Sequence, residues 1–381
     1  MYKVVHVISL YKTGGVQKSF VEYFNSIGKE KEQFKHDVYL LNHPKTNFTN
    51  VNFKYHHLSI FKPITIIKFL SDLRSKKVVV HIYNRLGSLK FFLLLLLFKS
   101  NNILIHERGT AWNISEKRKN VFGFFYKKAD HIITNSYATL NLLNKKFGLS
   151  VKKLTTVYNG IKIKKISKTK NYKKNFTIGF LGRLDTPKGA HVMLNIAKEI
   201  KKKNIKILIG GDGVFKNQFI RESKNLSNIK FLGHIKDSYK FLKSIDLLIV
   251  PSIREPFGNI ILEAGLCKIP VLAALVDGIP EIIKNNYSGH LIKPTKKLSL
   301  NLNVAGSLPI PEKVYDPISK SLVKPKELDA KKIIKKINYY LNNPLILKKL
   351  SDNLHRDVKK KFSINIYKKR MNVIYKKVLG L

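Results

Sequence analysis

Two carboxylates and a tight turn occur together in the stretch Arg254-Glu255-Pro256-Phe257-Gly258-Asn259-Ile260-Ile261-Leu262-Glu263. The stretch follows an apolar run that predicts a buried parallel strand, and it opens a segment with helical periodicity. Pro256 and Gly258 favour a turn whose backbone N–H groups lie at the positive end of the helix dipole. We therefore expect an anion site here, with Glu255 beside it to accept hydrogen bonds from hydroxyl groups and Glu263 further along the same helix.

A pair of cations follows another predicted strand, Phe176–Leu181. Arg183 comes directly after that strand, and Lys188 follows Pro187 at a predicted helix start. Two cations on one loop at the carboxyl end of a parallel strand are placed to hold a diphosphate, because guanidinium makes paired hydrogen bonds and ammonium acts as a point charge. The alternative is a solvated surface pair, which is less common for an arginine that directly follows a buried strand.

Glycines occur where two other predicted strands end. Gly14 and Gly15 follow the first strand, and Gly211 lies in a Gly-Gly-Asp-Gly run after residues 205–210. A glycine lets the backbone approach a ligand closely. Neither site matches G-x-G-x-x-G, so an ordinary turn remains the alternative at both.

His106 ends a further predicted strand, with Glu107 and Arg108 beside it. A single histidine at a strand end is more often structural. One placed where a sugar binds is nevertheless a candidate polar contact or proton relay.

Several catalytic motifs are absent from the sequence, which holds no P-loop, no H-E-x-x-H, no nucleophile elbow and no D-x-D. The usual phosphate hydrolysis and a dedicated metal–diphosphate clamp are therefore unsupported. Arg183, Lys188 and a helix N-terminus would stabilise a diphosphate leaving group by protein charge alone. We expect no metal and no other cofactor.

Strands and helical patterns alternate in two series, which predicts an α/β fold with two Rossmann-like domains facing each other across a cleft. The predicted strands are Val4–Leu10, His36–Leu41, Val78–Tyr83, Ile103–His106 and His131–Asn135, then Phe176–Leu181, Ile205–Gly210, Ile229–Phe231, Asp246–Val250 and Pro270–Ala274. The lysine-dense segment 162–174 predicts a linker between the series. Residues from about 296 to 328 lack periodicity and predict an inserted loop, and residues 329–381 are expected to be helical.

Charge is the most unusual feature of the composition, since 72 Lys+Arg against 24 Asp+Glu give a net charge of +48 over 381 residues. Lysine supplies nearly all of it, whereas nucleic-acid readout favours arginine, so we expect no nucleic-acid partner. Two explanations stay open for the lysines: nucleotide bias in the genome, and attachment to an anionic membrane surface.

Targeting signals and cysteines indicate the compartment. Cys267 is the only cysteine, so no intrachain disulfide forms, and the N-terminus shows no secretory signal. The apolar run 91–98 is far shorter than the roughly 20 residues that span a bilayer, and it predicts a buried helix. We expect a cytoplasmic protein, with peripheral attachment to the inner face of the cytoplasmic membrane as a further expectation.

A set of motifs in this order resembles the retaining glycosyltransferases of family 4, which have the GT-B fold. The motifs are Tyr158-Asn159-Gly160, Gly182-Arg183 with Lys188-Gly189, Pro251-Ser252, Glu255-Pro-Phe-Gly with Glu263, and Gly278-Ile-Pro280-Glu281 with residues 289–294. The resemblance implies domains at 1–165 and 172–363, with a C-terminal helix at about 364–381 that returns to the first domain. The insertion at about 296–328 departs from the family pattern, so its contacts are left open.

The resemblance implies a role for each residue in the second domain. Glu255 contacts hydroxyls of the donor sugar, Phe257 and Gly258 offer backbone N–H groups to the sugar or phosphate, and Glu263 binds the ribose. Arg183 and Lys188 take the diphosphate. Asn259 and Gly211 complete the candidate donor site in this domain.

In the first domain, the resemblance implies that Gly15, next to Gly14, contacts the diphosphate and that His106 contacts the donor sugar. The implied activity is retaining, metal-independent transfer of a sugar from a nucleotide-sugar donor, expected to be a UDP-sugar. The acceptor is expected to be a saccharide or lipid-linked saccharide of a lipopolysaccharide or other cell-surface glycan. Two alternatives stay open: a noncatalytic basic protein that binds anionic lipid or nucleic acid, and a GT-B sugar-nucleotide epimerase.

Overall fold

The computed structural model describes residues 1–11, 14–27, 33–41, 53–59, 61–84, 101–164, 175–200, 204–299, 306 and 308–381. The chain divides into two compact units, one formed by Met1–Lys162 with Phe362–Leu381 and the other by Ile163–Lys361. Each unit has its own parallel sheet, which confirms the predicted pair of Rossmann-like domains. The apolar run 91–98 and residues 165–174 of the predicted linker lie outside the described residues.

The sheet of the first unit is parallel, with strand order β3-β2-β1-β4-β5-β6-β7. Its strands are β1 (Lys3–Ile8), β2 (Lys35–Leu40), β3 (His56–His57), β4 (Val78–Tyr83), β5 (Ile103–Glu107), β6 (His131–Thr134) and β7 (Leu154–Thr156). All side chains of β4 and β5 are buried, as expected for central strands covered on both faces.

The described helices of this unit are α1 (Gly15–Ile27), α2 (Pro63–Arg74), α3 (Lys119–Lys128), α4 (Tyr137–Phe147) and, at the end of the chain, a C-terminal helix at Ile364–Leu379. Ser136 caps α4 by accepting the Thr139 N–H at 3.0 Å, and Gly148 ends it in the left-handed conformation. The C-terminal helix places Tyr367, Met371 and Tyr375 in the hydrophobic core of the first unit.

The sheet of the second unit is also parallel, with order β10-β9-β8-β11-β12-β13. Its strands are β8 (Phe176–Leu181), β9 (Ile205–Gly210), β10 (Ile229–Gly233), β11 (Leu247–Val250), β12 (Val271–Ala274) and β13 (His290–Ile292). The helices are α5 (Ala190–Glu199), α6 (Lys216–Glu222), α7 (Ser238–Lys243), α8 (Asn259–Leu266), α9 (Ile279–Ile282), α10 (Ala330–Asn342) and α11 (Pro344–Lys361), after which the C-terminal helix is α12.

The two ends of the predicted insertion lie next to each other. Lys296 and Glu327 form an antiparallel bridge, and the buried Glu327 carboxylate also contacts His191 of α5 at 2.7 Å. Between them lies an antiparallel hairpin of β14 (Val314–Asp316) and β15 (Ser321–Val323). The predicted inserted loop therefore contains a short hairpin, whose two three-residue strands are too short to produce a visible alternation in the sequence.

Candidate functional site

The candidate site lies where the order of strands in the second sheet reverses. Strand β8 is paired with β9 on one side and with β11 on the other. In a doubly wound sheet the loops after two such strands diverge and leave a crevice in which ligands bind. Arg183 and Lys188 follow β8, and Glu255 follows β11, so the three predicted residues lie on the two loops of this switch point.

Backbone hydrogen bonds hold the two loops together. The N–H groups of Ile253 and Arg254 both donate to the Pro187 carbonyl, at 3.0 and 3.1 Å. Gly189 has φ +66°, and a Cβ at this position would lie 2.0 Å from the Pro251 carbonyl oxygen. Only glycine fits this approach, which explains the Lys188-Gly189 pair in physical terms.

Lys188 and Glu255 form an ion pair. The Lys188 Nζ lies 2.6 Å from Glu255 Oε2, and the Ser252 hydroxyl lies 3.3 Å from the same oxygen. The Glu255 side chain is 8% exposed and that of Lys188 26%. Because the pair is partly shielded from water, this charge-assisted hydrogen bond holds both side chains in place on the two loops of the switch point.

Arg183 remains accessible on the first loop. Its side chain is 55% exposed, and its Nη2 lies 3.2 Å from Asp185 Oδ2. Burial raises the pKa of Asp185, although the charges of Arg183, Lys188 and Arg254 oppose that rise. The guanidinium is therefore oriented by a buried carboxylate while most of its surface faces solvent.

Asp277 is a buried residue that the sequence interpretation did not select. Its Oδ2 accepts the Glu255 N–H at 2.9 Å, and its Oδ1 accepts the Tyr315 N–H at 2.7 Å. Its own N–H donates to the Tyr315 carbonyl at 3.0 Å, which ties the β14–β15 hairpin to the site. Burial raises the pKa of Asp277 to about 7, against the effect of the two N–H donors and of Arg254. The sequence signal that could have identified Asp277 is its position, three residues after a buried strand.

Arg254 is the second residue that the sequence interpretation left without a role. It is 6% exposed and its charge interacts with those of Asp277, Glu255 and Asp185. Burial lowers the pKa of Arg254, and the carboxylates of Asp277 and Glu255 oppose this. Arg254 is thus a buried cation that interacts with three buried carboxylates.

The turn before α8 has the predicted form. Gly258 has φ +110° and directly precedes Asn259, the first residue of α8. Phe257 is 1% exposed, so its ring anchors the turn in the core. A Cβ on Gly278 would lie 2.2 Å from the Pro256 carbonyl oxygen, so a further loop packs directly against this turn.

The first N–H groups of a helix have no acceptor within the helix, and they attract an anion. Those of α8 start at Asn259, close in sequence to Glu255 and its partner Lys188. Glu263, one turn further along α8, is partly exposed. The arrangement supports the predicted anion site.

Gly211 has a structural reason to be glycine. Its φ is +137°, and a Cβ there would lie 1.8 Å from the Gly182 carbonyl oxygen. Gly182 in turn donates its N–H to the Gly210 carbonyl at 3.1 Å. The loop that carries Arg183 therefore rests on Gly211, and contact of Gly211 with a ligand stays a prediction.

Comparison with known proteins gives a match to one family model. The model described as Glycosyl transferases group 1 matches residues 162–313, which is less than half of the chain. The match includes Arg183, Lys188, Glu255 and Asp277, and it ends directly before β14.

Two relatives show how far the sequence similarity extends. CapM of Staphylococcus aureus, a capsular polysaccharide biosynthesis glycosyltransferase, is 31% identical over 126 residues, 31% of this chain and 33% of CapM. The N-acetylgalactosamine-N,N'-diacetylbacillosaminyl-diphospho-undecaprenol 4-alpha-N-acetylgalactosaminyltransferase of Campylobacter jejuni is 28% identical over 190 residues, 48% of this chain and 52% of that enzyme. The matched part thus spans about a third to a half of these relatives.

A solved structure matches over nearly the whole chain. HepE of Anabaena, in complex with UDP and glucose, is similar with a TM-score of 0.74 at 17% identity, and the match covers 98% of this chain and 99% of HepE. This similarity of fold confirms the predicted GT-B class.

His106 of the first unit is fully buried. Its ring is stacked on that of His81, with centroids 5.5 Å apart. Neither ring nitrogen has a hydrogen-bond partner among the residues that the structure describes. Burial, and then the charge of Arg108, hold the pKa of His106 well below its usual range. The predicted contact with a donor sugar remains a prediction.

The predicted glycine loop lies between β1 and α1. Gly14 accepts the Lys18 N–H at its carbonyl, and Gly15 is the first residue of α1. A Cβ on Gly14 would lie 2.9 Å from the side-chain oxygen of Gln17. Their predicted role in ligand binding is untested by these contacts.

Among the described residues, no group of three or more His, Cys, Asp or Glu side chains is placed to hold a metal ion.

Proposed function

We propose that this chain is a retaining, metal-independent glycosyltransferase that uses a nucleotide-sugar donor, specifically a UDP-sugar. The observation that carries the proposal is the 2.6 Å ion pair between Lys188 and Glu255 at the switch point of a group 1 glycosyltransferase domain. A cation for phosphate and a carboxylate for sugar hydroxyls stand side by side there, as the two halves of a sugar diphosphate require. The complex of HepE with UDP and glucose supports this choice of donor.

Each side chain of the site has a distinct task in the proposed reaction. Arg183, Lys188 and the N-terminus of α8 bind the diphosphate and stabilise its charge as it leaves. Glu255 holds the donor sugar by its hydroxyls, and Glu263 binds the ribose. The first-unit residues Gly14, Gly15 and His106 keep their proposed role as donor contacts.

The proposed transfer step needs no protein nucleophile. The bond between the anomeric carbon and the phosphate oxygen breaks, and its electron pair goes to the leaving diphosphate. The acceptor hydroxyl bonds to the anomeric carbon from the same face and gives its proton to that phosphate oxygen. The configuration at the anomeric carbon is thereby retained.

The proposed acceptor is a saccharide or lipid-linked saccharide of a cell-surface glycan. This rests on the names of the relatives, one in capsular polysaccharide biosynthesis and one whose name specifies a diphospho-undecaprenol saccharide. None of the described helices is both long enough and apolar enough to cross a bilayer. We include peripheral attachment to the inner face of the cytoplasmic membrane in the proposal.

Neither alternative from the sequence is favoured. A noncatalytic basic protein would not need the buried Asp277 and Arg254 beneath the Lys188–Glu255 pair. An epimerase would convert the donor with no acceptor present, so incubation of the protein with donor alone separates the two activities.

Calorimetric titration with UDP tests the donor site. Arg183→Ala is expected to weaken UDP binding roughly tenfold or more, because it removes a charge-assisted contact with the diphosphate. Arg221→Ala, at an exposed arginine on α6, is the matched control and is expected to bind like the wild type.

Product analysis tests the chemistry. Mass spectrometry of a donor and acceptor panel should show transfer that persists in EDTA, and NMR of the product should show the donor's anomeric configuration. Inverted product or loss of transfer in EDTA would refute those parts of the proposal, and equal UDP affinity of wild type and Arg183→Ala would refute the site.

A further inference from the structure

Helix α2 of the first unit presents large apolar side chains to solvent. Phe61, just before the helix, is 86% exposed, and Ile64 and Ile67 within it are 83% and 66% exposed. Scattered single apolar residues on a surface are ordinary, but here Ile64 and Ile67 lie one turn apart on the same helical face, and Phe61 directly precedes the helix, so three large exposed apolar side chains occur within seven residues. We call Phe61, Ile64 and Ile67 the α2 stripe.

The opposite face of α2 packs in the usual way. Phe69 and Leu73 are buried at 2% and 0% exposure, and the ring of Phe69 lies 5.0 Å from that of Tyr39 in β2. Asp72 anchors the helix to β1 through Lys3, with Nζ 2.7 Å from Oδ2. The helix is therefore fixed to its unit by one face, and the α2 stripe is an additional apolar surface that this packing does not use.

The charges around the α2 stripe are almost all positive. Between residues 53 and 84 the cations are Lys54, Lys62, Lys68, Arg74, Lys76 and Lys77, and the single acidic residue is Asp72. The Asp72 carboxylate forms an ion pair with Lys3. Asp37, in the neighbouring strand, forms ion pairs with both Lys3 and Lys68. Lys62 is the N-cap residue of α2, directly after Phe61 in the sequence, and Arg74, seven residues after Ile67, extends the helical face of Ile67.

We propose that α2 docks the chain on an anionic phospholipid membrane, with the α2 stripe inserted at the level of the acyl chains and the surrounding lysines at the headgroups. An apolar face flanked by lysines matches a surface that is apolar below and negative above. Anionic headgroups complement the excess of lysine and arginine over acidic residues in this segment, which a second copy of this equally basic chain would repel. The inference rests on the membrane attachment in the proposed function and names the surface that would make it. The lipid-linked acceptor explains why attachment would be useful, but it is not part of the evidence for this surface.

Cosedimentation of the full chain with vesicles tests the proposal. The wild type is expected to pellet with phosphatidylcholine vesicles that contain phosphatidylglycerol, and much less with phosphatidylcholine alone. The triple variant Phe61→Ser, Ile64→Ser, Ile67→Ser is expected to lose partitioning by about tenfold or more, because its apolar insertion is removed. Leu345→Ser, at a residue of the second unit that is 79% exposed, is the matched control and keeps wild-type partitioning.

Two further measurements separate this inference from the proposed function. The exposed substitutions should leave the melting temperature and UDP affinity unchanged, so a failure of UDP binding in the wild type bears on the donor site alone. Equal partitioning of the triple variant, or no binding by the wild type, would overturn the assignment of α2. An oligomer that forms without lipid and is lost in the triple variant would show instead that the α2 stripe contacts a second copy of the chain.

Discussion

The carboxylate of Asp277 accepts a hydrogen bond from the backbone N–H of Glu255 at 2.9 Å. The other oxygen of the same carboxylate accepts the Tyr315 N–H at 2.7 Å, from a strand 38 residues further along the chain. One buried side chain therefore fixes the backbone of Glu255 and joins it to the β14–β15 hairpin. The insertion supports the site, and Asp277 acts as a positioning residue.

Asp277→Asn is expected to impair turnover more than donor binding. An asparagine has one acceptor oxygen and turns an N–H₂ group toward an N–H donor, so one of the two bonds is lost at roughly 1–3 kcal/mol. We expect about a tenfold lower kcat, a lower melting temperature and a UDP affinity close to that of the wild type. Asp352→Asn, at a surface pair with Lys268, is the control and should change none of these. An unchanged kcat in Asp277→Asn would remove its positioning role.

Glu255→Ala should separate sugar contacts from nucleotide contacts. The variant removes the carboxylate assigned to the sugar hydroxyls and releases Lys188 from its 2.6 Å pair, so UDP binding should hold or improve. Turnover should fall at least about tenfold, because a charged hydrogen-bond partner of the sugar is gone. Steady-state kinetics and UDP titration measure the two effects, with Glu222→Ala at a surface pair as control. A parallel loss of UDP affinity would place Glu255 at the nucleotide instead.

Gly278→Ala tests the packing behind the turn. A methyl group at this position would meet the Pro256 carbonyl oxygen at 2.2 Å, so the turn before α8 must move. We expect a loss of about 1–3 kcal/mol in the free energy of unfolding, together with weaker UDP binding. Gly123→Ala in α3 is the control, because its nearest atom would be 3.6 Å away and alanine suits a helix. Equal stability of both variants would show that the turn adapts easily.

Acid should destabilise the first unit. His6, His36, His81 and His106 have pKa values lowered by burial, that of His36 to about 4. In the unfolded chain they titrate near 6.5, so between the two values the unfolded state binds more protons and stability falls as pH falls. The slope is up to about 1.4 kcal/mol per pH unit for each histidine. Asp277 has the opposite effect on the second unit, since its raised pKa favours the folded state of that unit at low pH.

Urea unfolding at a series of pH values from about 7.5 to 5 measures this dependence, provided that the first unit is followed separately. His106→Phe should flatten the slope with little loss of stability at neutral pH, because the described residues offer its ring nitrogens no hydrogen bond. His234→Phe, at an exposed histidine, should leave the slope as it is. A slope that His106→Phe does not change would mean that this ring is protonated in the folded protein or stays neutral in both states.

The central strands of both sheets were predictable from the sequence. Val78–Tyr83, Phe176–Leu181 and Ile205–Gly210 have the predicted bounds. Val78–Tyr83 is buried on both faces and appears as a continuous apolar run, whereas Ile205–Gly210 has an exposed lysine at its second position and is recognised by its isoleucines and leucine. The edge strands β3, β7 and β13 went unpredicted, since two or three residues carry no measurable alternation.

The candidate site was predictable where a residue directly follows a strand. Arg183 was selected for that reason, and Lys188 and Glu255 were selected because each lies between a strand and the helix that follows it; the structure places Lys188 against Glu255. Asp277 acts through backbone groups of residues 22 and 38 positions away, so nothing in its local sequence specifies its partners. Gly211 was predicted to contact a ligand. Its close approach to the Gly182 carbonyl, which only the structure reveals, is by itself a sufficient reason for a glycine at this position.

The position of α12 has a consequence for biosynthesis. Tyr367 and Tyr375 fill the core of a unit whose other residues end at Lys162, and the Tyr375 hydroxyl lies 3.0 Å from His81. Tyr367 and Tyr375 are translated after every strand of the second unit, so the core of the first unit stays incomplete until the second unit has been synthesised. Folding of the first unit is therefore completed only after synthesis of the unit that follows it in the chain.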